Sequence, residues 1–511
     1  MFKVALLAVY FAVLLGIGLK CRKSANSVDG FVLGGRGVGA WLTAFAYGTS
    51  YFSAVVFVGY AGQFGWKYGI AATWAGIGNA LIGSLLAWSI LGRRTRLLTQ
   101  HLDSSTMPEF FGRRFDSPAL KIVASAIIFV FLVPYTASLY NGLSRLFAMA
   151  FSIDYSVCIV LMSVLTAVYV ICGGYLATAI NDFIQGLIML VGLVAVIWAV
   201  IATQGGFAAA VDALARVNDP AVSATPGVFT SFFGPDPLNL LMVVLLTSLG
   251  TWGLPQMVQK FYAISNEDAI RKGTVISTLF AFVIAGGCYY LGGFGRLFAD
   301  KVDIAKDGFD AIIPAMLSNL GPGLIALTVI LVLSASMSTL SSLVITSSST
   351  LTSDFIKGTF VRKMSPAREV LVIRIFVVVF IAISAVIALV QHKSSVTFIA
   401  QLMGISWGAL AGSFLAPFLF ALYWKRTTKA ACWASFVFGS ALMVVNMVSR
   451  ASLPAFVQSP INCGVVAMLA GFVIVPVVSA LSKAPDRRFV DQLFACYDRT
   501  HPVAAKSDLG A

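Results

Sequence analysis

Ten hydroxyl side chains crowd the stretch from Ser334 to Ser349, inside an otherwise apolar run. Ser338, Ser341 and Ser342 are spaced i, i+3 and i+4 and so share one helical face, with Thr339 on its flank. Hydroxyl oxygens in such a row can hold a hard cation such as Na⁺. The same hydroxyls can also turn back onto the carbonyl one turn earlier. Two further segments could supply backbone oxygens. Gly48-Thr49-Ser50-Tyr51-Phe52-Ser53 is small and polar in mid-run, which suits either an unwound stretch at Gly48 and beyond or a closely packed helix face. In Thr247-Ser248-Leu249-Gly250-Thr251-Trp252-Gly253-Leu254-Pro255, Pro255 lacks a donor and clashes with the preceding turn, so a break is expected near Gly250, Gly253 and Pro255. Carbonyls freed there must line a polar cavity or be covered by protein. Asp182 is the sharpest single residue, because a carboxylate at mid-membrane costs about 2.5–3.5 kcal/mol. It is either a helix-start residue near the surface or a carboxylate turned toward the serine face to balance a cation.

The elements that must position these groups follow from composition. Of 511 residues, 59% are hydrophobic and 11% charged, whereas soluble domains hold about 25% charged residues. The charges cluster between apolar runs, each near the ~20 residues that cross a bilayer as a helix. Thirteen spans are expected, near 2–19, 40–62, 70–91, 120–148, 155–172, 180–201, 238–264, 273–298, 324–349, 370–391, 396–422, 429–448 and 461–481. The first is expected to be a retained span rather than a leader, since only Lys3 precedes it and no small-residue cleavage pattern follows. The longest connections, near 92–119 and 202–237, leave no room for a soluble enzyme domain. Each is expected to carry a short helix, within Thr95–Phe115 and Phe207–Val217.

The formal charge of +14 sits in short loops, so it reads as topology rather than nucleic-acid binding. Arg and Lys gather after spans one, three, seven, nine, eleven and thirteen, for example Arg93, Arg94 and Arg96, or Lys425, Arg426 and Lys429. The positive-inside rule then puts the N-terminus outside and the C-terminus in the cytoplasm of a multi-pass cell-membrane protein. The seven cysteines show no CxxC or metal spacing and read as small apolar residues. His101, His392 and His501 lie at helix ends or in loops and are given no catalytic role. No organic cofactor is implied, and solute, Na⁺ and the lipid bilayer are the expected partners.

The two breaks lie five spans apart. Carriers built from inverted five-helix repeats place a broken helix first in each repeat. Residues 40–205 (spans two to six) and 206–428 (spans seven to eleven) would be those repeats. Residues 1–39 and the spans in 429–481 would be peripheral, and 482–511 a cytoplasmic tail.

Several segments resemble the sodium:solute symporter family, which includes bacterial proline, pantothenate and sialic acid carriers and animal sugar carriers. Asp29-Gly30-Phe31-Val32-Leu33-Gly34-Gly35-Arg36 is similar to its acidic-aromatic-Leu-Gly-Gly-Arg approach to the second span. Gly173-Gly174-Tyr175 followed by Asp182 and Gln185, Ser338-Thr339-Leu340-Ser341-Ser342, and Trp424-Lys425-Arg426-Thr427 resemble three more family motifs. The resemblance implies an all-α, leucine-transporter-like 5+5 inverted-repeat fold. It also implies a Na⁺ site made by the carbonyls of Thr49, Phe52 and Ala335 and the hydroxyls of Ser338 and Thr339. A second Na⁺ would fall on Asp182, Ser338, Ser341 and Ser342. For the solute, the proline carriers' fourth-span aromatic matches Tyr135. Their two seventh-span aromatics are Thr247 and Thr251 here, with Trp252 alongside, and their acidic residue beside the ion is Tyr51. Gln401 is a further candidate contact.

The resulting expectation is a Na⁺-coupled symporter importing a small organic solute, an amino acid such as proline or a small carboxylate, by alternating access. A proton-coupled carrier with Asp182 as the titrating group competes with it. A membrane sensor competes less well, because no signalling module is recognised. An enzyme is not expected, because the intramembrane polar residues include no His/Cys cluster and no paired carboxylates.

Overall fold

Apolar runs of this length leave the backbone no water to bond, so the chain must satisfy itself helically. The computed structural model describes residues 2–151, 154–361, 364–393 and 399–498. Among them the only β-type pairing is one isolated bridge between Val38 and Ile264. All thirteen expected segments fall on helix, although residues 396–398 of the eleventh lie outside the described residues. The spans are Phe2–Lys20; Ala40–Tyr51 with Val55–Tyr60 and Ala61–Tyr68; Thr73–Ala80 through Arg93–His101; Pro118–Phe151; two within Tyr155–Thr203; Pro237–Ser248 with Pro255–Ala263; and Glu267–Gly292. They continue as Pro322–Ser349 extended by Thr350–Ile356, Pro366–Lys393, Ile399–Tyr423, Lys429–Val448 and Pro460–Leu481. By length and composition alone, nine described helices can cross a bilayer, and the bent seventh makes ten. The first and fifth fall short as Leu7–Lys20 and Ser156–Val168, and the second is counted with the third as Val55–His101.

The sequence leads one to expect a connection over 173–179 between spans five and six. The structure has a single-residue kink instead: Gly174 takes φ +56° and ψ −163° within otherwise continuous helix. A side chain there would be strained and would also meet Ala25 and Phe31. The two short connecting helices are present as Met107–Arg114, capped by Thr106, and Phe207–Ala215.

The ninth and eleventh spans form the buried centre, and every residue from Thr328 to Thr350 is buried. Around them, apolar side chains point outward, as a lipid-facing surface requires: Trp198 is 74% exposed and Val191 70%. Glycines let backbones touch where spans cross. A Cβ on Gly65 would sit 2.0 Å from the Gly292 carbonyl, so spans two and eight meet there backbone to backbone.

Candidate functional site

Both expected breaks exist. The first helix half of span two ends at Tyr51, Phe52 turns extended (φ −108°, ψ 113°), and helix resumes at Val55. The break therefore lies at Phe52-Ser53, not at Gly48. Gly48 stays helical, and its missing side chain makes room for the Phe280 ring, which a Cβ would meet at 2.4 Å. In span seven the chain tightens over Leu249–Gly253, extends at Leu254 and restarts with Pro255 as the first helical residue, bending the axis by 47°. Pro255 is suited to that position because a first-turn N–H has no helical partner anyway.

Span nine crosses the break in span two. Ser338 Oγ lies 2.9 Å from the Thr49 carbonyl and 3.1 Å from the Ala335 carbonyl. Thr339 Oγ1 lies 3.1 Å from each of the same two oxygens and 3.5 Å from the Ser50 carbonyl. Four of the five oxygens expected around Na⁺ are thus gathered, and Phe52, whose carbonyl is the fifth, sits in the break itself. Thr49, Ser338 and Thr339 are wholly buried. A hydroxyl donating to a carbonyl in this arrangement needs only to rotate its hydrogen to present a lone pair to an ion, and neutral hard oxygens suit an alkali cation.

The second group is arranged differently. Ser341 Oγ turns back to the Ser338 carbonyl at 2.9 Å. Ser342 Oγ meets Ser50 Oγ at 2.8 Å and accepts from Lys260 Nζ at 2.9 Å. Lys260 comes from the second half of span seven, after its break, and is 2% exposed. Its ammonium also stands over the Tyr175 ring, 5.0 Å from the centroid. Asp182 is fully buried, which removes the reading of a solvated helix-start residue. Among the described residues its oxygens have no hydrogen-bond partner, and Lys260 is the charge that acts on it. Lys260 was legible as a lone cation in an apolar run, but only its fold neighbours show what it faces.

Of the candidate solute contacts, Tyr51 donates to the Thr247 carbonyl and stacks on Phe52. Tyr51 and Tyr135 both face Trp407, with ring centroids 6.0 Å and 5.9 Å away. The hydroxyls of Thr247 and Thr251 are turned onto their own helix, to Val243 and Ser248. The Trp252 indole is tied to the Ile82 carbonyl at 3.0 Å. Gln401 stands apart, on the wall of a cavity of about 630 Å³ with Lys67, Asp236 and Arg296. Sequence reasoning passed over Asn79, Tyr60, Tyr289 and Trp407. The Asn79 amide, turned to satisfy both its ends, reaches Tyr51 and Thr247. The hydroxyls of Tyr60, Tyr135 and Tyr289 and the Trp407 indole are buried without a hydrogen bond of good geometry among the described residues, with Ser53 and Trp407 beside the Tyr135 hydroxyl and Asn79 and Thr247 beside that of Tyr289.

A bundle with two broken spans, and an oxygen cage where span nine crosses the first of them, has the makings of an ion-coupled carrier. The chain belongs to the sodium:solute symporter family, whose model matches residues 31–439. It is therefore a multi-pass membrane carrier that couples solute to Na⁺, and not an enzyme. It is 28% identical over 487 residues to the osmoregulated proline transporter OpuE of Bacillus subtilis, covering 94% of this chain and 96% of the relative. It is 30% identical over 494 residues to a sodium/proline symporter of Staphylococcus aureus, with 94% and 93% covered. The fold is that of a Na⁺-coupled sialic acid symporter (TM-score 0.75, 16% identity, 95% and 99% covered). It is also similar to Mhp1, a nucleobase-cation-symport-1 transporter (TM-score 0.51, 12% identity, 92% and 99% covered). These likenesses place the chain in the leucine-transporter-like fold.

Proposed function

We propose that the protein imports a small monocarboxylate lacking an amine across the cell membrane together with Na⁺, the ion held by Thr49, Phe52, Ala335, Ser338 and Thr339. The N-terminus lies outside and the C-terminus inside. Residues 40–205 and 206–428 act as the two rocking repeats, with 1–39 and 429–481 at the periphery. The convergence of Ser338 and Thr339 on the Thr49 carbonyl carries this reading, because it joins one repeat to the other through oxygens alone. Na⁺ binds from outside, closes the gap between spans two and nine, and completes the solute site at the two breaks. The repeats then rock, and an inward potential of 100 mV contributes about 2.3 kcal/mol per Na⁺.

The solute class follows from the donors around Trp407. Buried Tyr and Trp donors suit an acceptor-rich group such as a carboxylate. Proline is the second reading, supported by the names of the relatives; its amine would have to rely on carbonyls such as that of Thr247. Thermal unfolding of the purified protein with short monocarboxylates and with proline, each with Na⁺ and with K⁺, tests both. Stabilisation by a monocarboxylate only in Na⁺ is expected. Stabilisation by proline alone would overturn the carboxylate assignment, and stabilisation independent of Na⁺ would overturn the ion site.

A further inference from the structure

Among the charged features outside the proposed Na⁺ cage are the cavity lined by Gln401, the Lys121–Asp354 contact of 3.2 Å, and the buried Asp182 and Lys260. The last bears directly on coupling. Asp182 and Ser342 are two of the groups a second Na⁺ would need. Ser342 Oγ already accepts from Lys260 Nζ at 2.9 Å, and the Asp182 carboxylate, which makes no hydrogen bond among the described residues, feels the Lys260 charge through space rather than in direct contact.

We infer that the Lys260 ammonium is a tethered cation occupying the second ion position, so that each cycle carries a single Na⁺. The inference rests on the function proposed above. Lys260 supplies what a bound ion would supply: a positive charge for Asp182 and a partner for Ser342 Oγ, with the Tyr175 face covering its remaining side. A Na⁺ at about 2.4 Å from Ser342 Oγ would lie within about 5 Å of the ammonium, where like charges in a buried site weaken binding by about a hundredfold. The ammonium is covalently part of span seven, so it never leaves for the cytoplasm, and its charge beside Ser342 does not draw on the Na⁺ gradient. Through Ser342 it also reaches Ser50 Oγ, beside the break in span two, so the tethered charge and the transported ion hold adjacent turns of the same helix.

The test counts ²²Na⁺ bound at saturation by the purified full chain, which needs no knowledge of the solute. The wild type is expected to bind one ion, lost in Ser338→Ala/Thr339→Ala. Lys260→Gln frees Asp182 and Ser342 and is expected to bind two, whereas Lys260→Arg stays at one. Ser342→Ala should also leave the count at one, since that hydroxyl serves the ammonium. Two ions in the wild type, or one in Lys260→Gln, would overturn the inference. No ion in the wild type would instead sink the proposed function on which it rests. Should Lys260→Gln be unstable through its unpaired carboxylate, its unfolding midpoint provides the second readout. Na⁺ should raise that midpoint more steeply than in the wild type, and parallel slopes would refute the idea. Asp182→Asn/Lys260→Gln buries no unpaired charge and lacks the second carboxylate; one ion is expected, and two would contradict the assignment.

Discussion

Thr339→Ala separates an ion ligand from a structural hydroxyl. Thr339 Oγ1 touches the Thr49 and Ala335 carbonyls at 3.1 Å, and Ser338 Oγ touches the same two at 2.9 and 3.1 Å. Removing Thr339 Oγ1 therefore leaves both carbonyls a hydrogen-bond partner, and the ion-free fold loses about 1 kcal/mol. The ion-bound form loses one oxygen in five. A contact to a charged group is worth about 1.5–3 kcal/mol, so the Na⁺ concentration for half-maximal effect should rise roughly 10- to 150-fold. Thr339→Ser keeps the oxygen and gives up only a methyl, so its Na⁺ requirement should stay within about threefold of wild type. The assay is the Na⁺ dependence of the unfolding midpoint, or of uptake once a solute is known. Equal Na⁺ requirements in the Ala and Ser variants would refute the argument, because they would show that the oxygen does not meet the ion.

Tyr135→Phe removes a buried donor without touching the ion cage; it should weaken solute stabilisation about tenfold and leave the Na⁺ response unchanged. Gly65→Ala should prevent assembly of spans two and eight, because its Cβ would fall 2.0 Å from a backbone carbonyl that cannot yield; monodisperse protein at wild-type yield would disprove it. Asp310, in the loop before span nine, caps the Ile399 N–H at 3.2 Å, and burial pushes its carboxyl up to about 6 although Arg145 pulls it down. The folded state then holds a proton that the unfolded state has already lost. Its contribution to stability is present at low pH and fades as pH rises from about 4 to about 6. The wild-type midpoint should fall over that range relative to Asp310→Asn, and parallel pH profiles would exclude it.

The parts legible in the sequence are those governed by local rules. Apolar run length located the spans, and Pro255 located the second break because its missing donor acts on its own turn. Gly48 misled for a related reason. A glycine in a helix signals either a break or a close approach, and only the position of Phe280, far along the chain, decides between them. The motif from Ser338 to Ser342 pointed to span nine, but the roles of its hydroxyls diverge: Ser338 and Thr339 reach span two, Ser341 turns inward, and Ser342 meets Lys260. That division depends on contacts with residues 82 to 290 positions away, which no local pattern encodes. Trp407 and Tyr289 were passed over because an aromatic in an apolar span is ordinary until its neighbours leave its polar atom unpaired.

Coupling demands that the ion distinguish two conformations, since a ligand with equal affinity for both shifts nothing. The proposed cage would meet that demand by its composition. The carbonyl of Thr49 lies in the first of the proposed repeats and the carbonyl of Ala335 and hydroxyls of Ser338 and Thr339 in the second, so separating those repeats would dismantle the site rather than loosen it. Moving a population from 1:99 to 99:1 takes about 5.5 kcal/mol of differential binding, which is the loss of two or three charge-bearing contacts of the size expected for Thr339. One ion held by five neutral oxygens can therefore drive the switch. A second transported ion would add driving force, but it would need Ser342, whose hydroxyl Lys260 already engages.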